Sequence, residues 1–593
     1  MSGGYFLAEI SFEAGNKIGG IWTVVTSKSA YTKEKFGDNY LAIGFYNPTQ
    51  AAVEFIEMAP PQFIKDAVSD FKLDGIKIYF GKWVSASDSN IILIDSKEFE
   101  AKHANDIKRE FWDRFNIDSL NSPQDYTEPL AWSYAAGAFI ESLSKHLKMR
   151  LVVQAHEWLS AGAILYLKSK DVKVPTAFTI HATVLGRAYA YSGNDTFEFV
   201  NKNTMITQDM PYKYGVAAKH FTEVAGAMNA TVFTAVSGIV QKEAEVILGK
   251  KADFITFNGI DTQNLPSEDE LEALRTTAKN KFTNFMNSYF LPYYDIPFKN
   301  APVFITSGRY EFLDKGFDLF IDALGKLDKV LSDDNYVVAL ITVPSGTVGV
   351  KDEVVANYLT YIAVKSALDE DLKNFDQLVS TNPATMADNV SIDKAYNKIQ
   401  NDARRMVSQL RRLKPTNPPP CPFKLSYPEE SDAILNRLKQ NGLENSISNH
   451  VKVIFYPKYL TVGDELLNLT YNEALSLSTA GFFPSKYEPF GYTPLEDAAH
   501  MSIAFTTDHS GFAECAQRLF KNSLKGIVIE PMLGETHEEI VSRLTSDMLK
   551  IVMMSDDDRF SLRVSARRTS ENFGWDRFIS NYLDAYEAAL ERV

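Results

Sequence analysis

The sequence predicts an α/β protein with two doubly wound, Rossmann-like domains facing each other across a cleft, and a paired-helix insertion in the second domain. Three observations lead to this. Short apolar, strand-like runs alternate with amphipathic helical stretches in two blocks, Tyr5 to Ile260 and Pro302 to Thr507. Such alternation lays down a parallel sheet with helices on both faces. A chain of 593 residues is too long for a single core,. Between Pro344 and His450 the alternation gives way to long helical patterns over Lys351–Val379 and Ile392–Leu413,. The expected division is a first domain over 1–265, with an amphipathic helix within 570–593 at the C-terminal end. A second domain covers 266–569, with its helical insertion at about 345–450.

Composition removes several classes. At 45% apolar and 23% charged the chain is an ordinary globular one,. A formal charge of −15, with no basic run, argues against a nucleic-acid surface but would not disturb a neutral polymer,. Cys421, Cys515 and nine scattered histidines give neither zinc spacing nor a disulfide framework, and His156-Glu157 lacks the second His of a zincin,. There is no Walker A and no GxGxxG motif. No signal peptide precedes Tyr5 and no apolar run reaches membrane-spanning length,. A cytoplasmic protein with no metal, no nucleic-acid partner and no membrane partner is expected.

In the first block, a strand at Tyr5–Phe12 runs into Gly15-Asn16-Lys17-Ile18-Gly19-Gly20 and a helix from about Ile21. Strand, glycine-rich turn and helix together outline a phosphate or sugar-nucleotide site. A tight turn that merely needs small residues has the same look. Further strands are expected at Tyr40–Phe45, Ile76–Phe80, Asn90–Ile94, Arg150–Gln154 and Thr176–Ile180, with a helix over Pro129–Lys148. Polar residues follow two of these strands: His156-Glu157-Trp158, and His181-Ala182-Thr183 with Arg187 beyond. A histidine there is either a satisfied structural residue or part of the cleft. Asp261–Asn300 is polar and helical, and the domain crossover is expected near its start.

In the second block, the strand Pro302–Thr306 ends in Ser307-Gly308-Arg309-Tyr310-Glu311, with Lys315-Gly316 after it. Cations at a helix start are unfavourable unless an anion is present, so Arg309 and Lys315 read as an anion clamp. Strands at Tyr336–Val343, Val451–Tyr456 and Leu477–Phe483 lead to Ser485–Asp508, where Glu488 and Glu496 straddle Gly491-Tyr492-Thr493. Thr493-Pro494-Leu495-Glu496 predicts a helix capped by Thr493 and closed by a capping box to Glu496. Its free N–H groups would face the Gly491 turn and could hold a diphosphate. On spacing alone, Glu496 only closes the box and Glu488 is a loop acid. Ile392, Tyr396, Ile399, Ala403, Met406, Leu410 and Leu413 form a stripe of alternating four and three spacing,. It predicts either an intramolecular helix hairpin or a homo-oligomer, with a tetramer expected.

The segment YEPFGYTPLE resembles the E-x7-E signature of retaining glycosyltransferases, in the form found in animal and fungal glycogen synthases. Lys17-Ile18-Gly19-Gly20, the HEW at His156, HATVLGR from His181 and GRYEFLDKGFD from Gly308 resemble that family too, so the likeness spans nearly the whole chain. It implies the GT-B fold, with the first domain completed by the C-terminal helix 570–593, and transfer of glucose from UDP-glucose to the non-reducing end of an α-1,4-glucan such as glycogen, with retention and without a cofactor. By the same resemblance, Glu488 grips a hydroxyl of the donor glucose and Glu496 the ribose. Lys17, Gly19 and Gly20 meet the diphosphate, His181 lies against the glucose and Arg187 lines the cleft. Arg309 and Lys315 neutralise the departing UDP. Gly491, Tyr492 and Thr493 would bind substrate, as would Asn258, although Phe257 stands where the family has Pro. Front-face attack and double displacement through Glu488 both stay open. So do another retaining glucosyltransferase, a phosphorylase (for which no pyridoxal-phosphate lysine is located) and an inactive glucan-binding subunit.

Two departures stand out. The family carries serine-rich phosphorylated tails, and tail-borne regulation is not expected from these 593 residues. The arginine helix with which the family senses glucose 6-phosphate is thinned here to Arg559, Arg563, Arg567 and Arg568. Arg563 and Arg567 remain a candidate anion site. With Asp556, Asp557 and Asp558 just ahead of it, activation is expected to be absent or weaker than in the family's eukaryotic members.

Overall fold

The computed structural model describes residues 4–295, 301–332, 334–381, 389–410, 416–521 and 523–593. Among them, β1 (Tyr5–Ile10), β2 (Tyr40–Phe45), β3 (Phe55–Glu57), β4 (Lys77–Trp83), β5 (Ser89–Asp95), β6 (Arg150–His156), β7 (Thr176–Ile180), β8 (Val232–Ala235) and β9 (Phe254–Ile255) form one sheet. Its order is β3-β4-β5-β2-β1-β6-β7-β8-β9. Then come β10 (Val303–Ser307), β11 (Val337–Thr342), β12 (Thr347–Val350), β13 (Phe423–Leu425), β14 (Val451–Phe455), β15 (Ala480–Phe482), β16 (Ile503–Thr507) and β17 (Ile527–Glu530). The second sheet runs β14-β11-β10-β15-β16-β17, and β12 pairs only with β13.

Both sheets are wound outward from their first strand, so strand order reverses at β1 and again at β10. In parallel sheets the crevice for a ligand opens at the carboxyl ends of the strands beside such a reversal. The register Tyr5↔Arg150 to Ile10↔Ala155 brings the ends of β1 and β6 level. The loops after Ile10, His156 and Ser307 therefore emerge at these two points.

Two expectations needed revision. The edge β3-β4-β5 is antiparallel, not part of the parallel winding. Only five residues separate Trp83 from Ser89, too few for a crossover helix, and Ser87 (φ 54°) and Asp88 (φ 52°) take the left-handed turn that a tight hairpin needs,. The helix expected from Pro129 begins at Gln124 and runs through that proline to His146. Tyr126 accounts for the earlier start: it is buried, stacks on Trp158 with centroids 5.7 Å apart, and lies 2.9 Å hydroxyl to hydroxyl from Thr222.

Each sheet carries a large apolar core, and that of the first extends to Leu495, Ala504 and Ile527 beside the second. The last helix, Trp575–Glu591, belongs to the core of the first sheet. Trp575 is fully buried and its Nε1 donates to Ser27 Oγ at 2.8 Å, while Tyr586 donates to Gln154 Oε1. Where the chain leaves the first sheet and where it returns, backbone bonds join the two passages: Ile260 N–H to Phe573 O (2.9 Å) and Trp575 N–H to Ile260 O (3.2 Å).

The β12–β13 pair forms the base of the insertion, which rises as helices Asp352–Thr381 and Asn389–Leu410. Of the expected stripe, Tyr396 is exposed and Ile399 and Ala403 are partly buried. Leu413 and the side chains of Ile392, Met406 and Leu410 lie outside the described residues.

Truncating the anchor of the returning helix should be costly. Trp575→Ala is expected to lower stability by about 3–5 kcal/mol, the usual range for emptying a buried tryptophan site. Urea unfolding followed by tryptophan fluorescence measures it, and an unchanged midpoint would show that the helix does not depend on this residue.

Candidate active site

The loop after β1 returns as helix Gly20–Phe36, whose N-cap, Gly19, offers no side-chain bond. The carboxylate of Glu13 takes that part, accepting from the N–H groups of Gly19 (2.9 Å) and Trp22 (2.8 Å),. A Cβ on Gly19 would stand 3.0 Å from Glu13 Oε1, whereas one on Gly20 meets nothing within 4 Å. Gly19 is thus favoured by the carboxylate, and Gly20 by no contact among the described residues. Lys17 holds its ammonium 4.3 Å above the ring of Trp22, a cation–π contact,.

Beyond β6, Glu157 takes φ 57°, a left-handed conformation that costs a non-glycine residue about 1–2 kcal/mol,. Burial pushes its carboxyl up to about 7; Arg187 and Arg309 oppose the rise and Glu13 adds to it. His181, after β7, is buried with Nε2 2.9 Å from His156 Nδ1. The turn that follows is held from below by two buried acids. Glu243 accepts from Thr183 N–H and Glu223 from Val184 N–H, each at 2.9 Å. Burial raises both carboxyls, that of Glu223 well above the usual range. Thr183 caps helix Val184–Tyr191. This fixes the helix that carries Arg187, whose neighbours include Glu157, Glu311 and Glu243.

On the other side, Arg309 follows β10, pairs with Glu311 at 3.0 Å and is 58% exposed, so its guanidinium is accessible. Lys315 donates to Glu488 Oε2 at 2.5 Å, with both side chains largely buried. Gly316 (φ 66°) permits this approach, because a Cβ there would stand 1.9 Å from the carbonyl oxygen of Pro484.

The helix of the glutamate pair begins earlier than expected. It runs Tyr492–Ala499, with Gly491 at the cap (φ 101°, ψ 79°) and no side-chain cap. The left-handed glycine turns the chain into the helix before Thr493 is reached, so Thr493 is neither N-cap nor capping-box partner. Glu496, free of that box, accepts from Tyr471 OH at 3.2 Å, and burial raises its carboxyl against the pull of that bond and of Lys17.

The two sides touch through these segments. Tyr487 donates to Glu243 at 3.0 Å and Tyr492 to the carbonyl of Gly259 at 3.2 Å. Arg309 acts electrostatically on Glu13 and Glu157, and Lys17 on Glu496. Lys17, Gly19, Gly20, His181, Arg187, Arg309, Lys315, Glu488, Gly491, Tyr492, Thr493 and Glu496 thus come from loops that converge on one cleft. Asn258 is buried at its back, where Tyr582 OH approaches its Oδ1 at 3.4 Å. Sequence reasoning missed Glu13, Glu223, Glu243, Tyr471 and Tyr487. The one available signal was an acid within a few residues of a glycine-rich turn.

The glycogen synthase family model matches residues 9–593. The chain belongs to the glycogen synthase family. Glycogen [starch] synthase of Neurospora crassa is 29% identical, over 99% of this chain and 84% of that protein. Glycogen [starch] synthase isoform 2 of Saccharomyces cerevisiae is 29% identical over 99% and 86%. The catalytic domain of Starch Synthase IV from Arabidopsis thaliana, bound to ADP and acarbose, superposes with a TM-score of 0.53 at 13% identity, covering 99% of this chain and all of that one. That likeness shows the GT-B fold.

In this family member the candidate anion arginines stand apart from the cleft. A cavity of about 600 Å³ lies between helices Glu268–Phe290 and Asp556–Ser570, lined by Arg275, Lys279, Arg559 and Arg563 together with Asp556 and Asp557. Arg563 donates to Met501 O at 2.6 Å and pairs with Glu272 at 3.1 Å. Arg567 does not line the cavity; it pairs with Glu571 at 3.2 Å and donates to Pro266 O at 3.1 Å. Arg559 is held by Asp556 at 2.5 Å. Burial, with Arg563 and Arg559 nearby, lowers Arg275 to about 9.

Proposed function

We propose that the protein is a retaining glycosyltransferase that moves glucose from UDP-glucose to the non-reducing end of an α-1,4-glucan. Residues 1–265 with the returning helix would serve the acceptor side, and residues 266–569 the nucleotide sugar. The observation that carries the reading is the cluster of Arg309, Lys315 and Glu488 beside the Gly491 helix start, opposite His181 and Arg187.

Cleaving the bond to UDP leaves charge on a diphosphate. Arg309 and Lys315 offset it together with the N–H groups of helix Tyr492–Ala499, the form of stabilisation that contributes most when charge develops,. Lys17 and the Gly19–Gly20 turn reach the same diphosphate. Lys315 and Ser485 both use Oε2 of Glu488, which leaves Oε1 for a hydroxyl of the donor glucose. A carboxylate so neutralised is a weak nucleophile, which favours front-face attack with the leaving phosphate taking the acceptor's proton. Glu496 takes the ribose, Tyr492 and Thr493 line that end, and Asn258 backs the pocket.

The insertion supports a further part of the reading. Helix Asp352–Thr381 buries Tyr361 and Val364 but leaves Val355, Leu359 and Ile362 exposed at i, i+4 and i+7. An apolar stripe at that spacing calls for a partner helix. We assign it to a second copy of the chain, within a cytoplasmic homo-tetramer. Leu359→Glu with Ile362→Glu should give a smaller particle in light scattering, and an unchanged mass would remove the assignment.

Sugar-phosphate activation is weak on this reading, because an anion entering the 600 Å³ cavity has to displace Glu272 from Arg563. Turnover with and without millimolar glucose 6-phosphate tests it. Strong activation, abolished by Arg563→Ala with Arg567→Ala, would be the opposite result.

The central test is UDP release in the presence of glycogen. Arg309→Ala is expected to lower turnover about a hundredfold, roughly 3 kcal/mol, as for loss of one charge-stabilising donor. Near-normal turnover in that variant would refute the assignment. Wild-type protein that binds glycogen without releasing UDP would be a glucan-binding subunit instead.

A further inference from the structure

Behind the cleft lies a polar network that the proposed chemistry does not use. Glu9, on β1, is fully buried, and its carboxylate takes three donors: Lys28 Nζ at 2.5 Å and His156 Nε2 at 2.8 Å on Oε1, and Tyr40 OH at 2.7 Å on Oε2. His156 in turn meets His181, Nδ1 to Nε2, at 2.9 Å. Gln154 closes the far side, accepting from Lys28 at 3.2 Å and donating to Thr179 Oγ1 at 3.0 Å. Acid, His156 and His181 thus form a line running from the core of the first sheet to the cleft.

Each link in that line has only one consistent protonation. Burial alone would raise the Glu9 carboxyl, but Lys28 and His156 outweigh it and hold it well below the usual range. An ionised carboxylate only accepts, so His156 Nε2 must carry a proton. Lys28 already balances the charge of Glu9. An imidazolium at His156 would leave a net positive charge buried, and burial holds His156 below its ordinary value,. His156 is therefore neutral, its Nδ1 is a lone pair, and the proton in the 2.9 Å contact belongs to His181 Nε2. Burial, with His156, Lys28 and Arg187 nearby, keeps His181 neutral as well. Its Nδ1 is left as an acceptor.

We propose that Glu9 and His156 are positioning residues that lock His181 as its Nε2–H tautomer, so that His181 presents an acceptor nitrogen, and no donor, to the sugar of the bound nucleotide. The inference rests on reading the cleft as a sugar-nucleotide site. It makes this point of the cleft selective for a group that donates a hydrogen bond, such as a sugar hydroxyl, over one that only accepts.

Neutron diffraction from deuterium-exchanged crystals of the full chain reads the tautomer without any assay. Deuterium is expected on His181 Nε2 and absent from Nδ1; deuterium on Nδ1 overturns the proposal. Kinetics supply the second reading. His156→Gln keeps an acceptor oxygen for His181 and should stay within about threefold of wild type in kcat/KM for UDP-glucose. His156→Leu removes that acceptor and should lose about tenfold, the worth of one hydrogen bond. Equal kcat/KM in the folded Leu variant and wild type overturns the positioning role. If the Leu variant does not fold, the neutron density of the wild type still decides. Absence of any UDP-glucose turnover in the wild type would defeat the functional reading while leaving the tautomer measurable.

Discussion

A carboxylate taken out of water costs several kcal/mol unless donors or cations meet it, and the first sheet buries a set of them beside the cleft. Glu13 answers this with the N–H groups of Gly19 and Trp22, Glu223 with that of Val184, and Glu243 with that of Thr183 and the hydroxyl of Tyr487. In each case backbone N–H groups at the start of a helix are among the donors. The turns that carry Gly19 and Arg187 thus have their shape because an acid beneath them has to be satisfied. Loops ordinarily vary in conformation. These are fixed by the same bonds that make their acids tolerable.

Charge is divided between the two sides of the cleft. The first side supplies buried acids, neutral imidazoles and Lys17, the second the Arg309 and Lys315 cations with Glu488 and Glu496, and Arg187 stands among Glu157, Glu243 and Glu311. The chain as a whole carries −15, yet an anion entering here meets cations and a helix N-terminus. Local field, not net charge, decides what the cleft attracts. Glu488 fits the same pattern: beside Lys315 it forms an ion pair that adds no net negative charge where a diphosphate would sit.

Much of this could be read in the sequence, for a physical reason. Parallel strands buried on both faces are apolar runs, and catalytic loops follow their carboxyl ends, so both β10 with Arg309 and β7 with His181 were visible as run and tail,. Features set by distant partners were not. Glu13 reads as one more acid until the Gly19 and Trp22 N–H groups are placed over it. The start of helix Tyr492–Ala499 was misjudged because Thr-Pro-x-Glu is a good local cap, whereas the conformation of Gly491 depends on Glu488 and Ser510 packed against it. Asp556, three residues ahead, is near enough in sequence for its pairing with Arg559 to be local. That Arg563 would be met by Glu272, 291 residues away, could not be seen.

The connection between the two sheets is as constrained as the cleft. The chain passes from one to the other after Ile260 and comes back at Gly574, and Ile260 bonds to both Phe573 and Trp575. Gly259 and Gly574 allow so close a crossing: a Cβ on the first would lie 3.0 Å from Trp575 N, and on the second 2.7 Å from Thr262 Oγ1. Two crossings bonded to each other act as one joint, so a change in the angle between the sheets bends both passages together. Tyr492 donates to the carbonyl of Gly259, which ties the start of helix Tyr492–Ala499 to that joint.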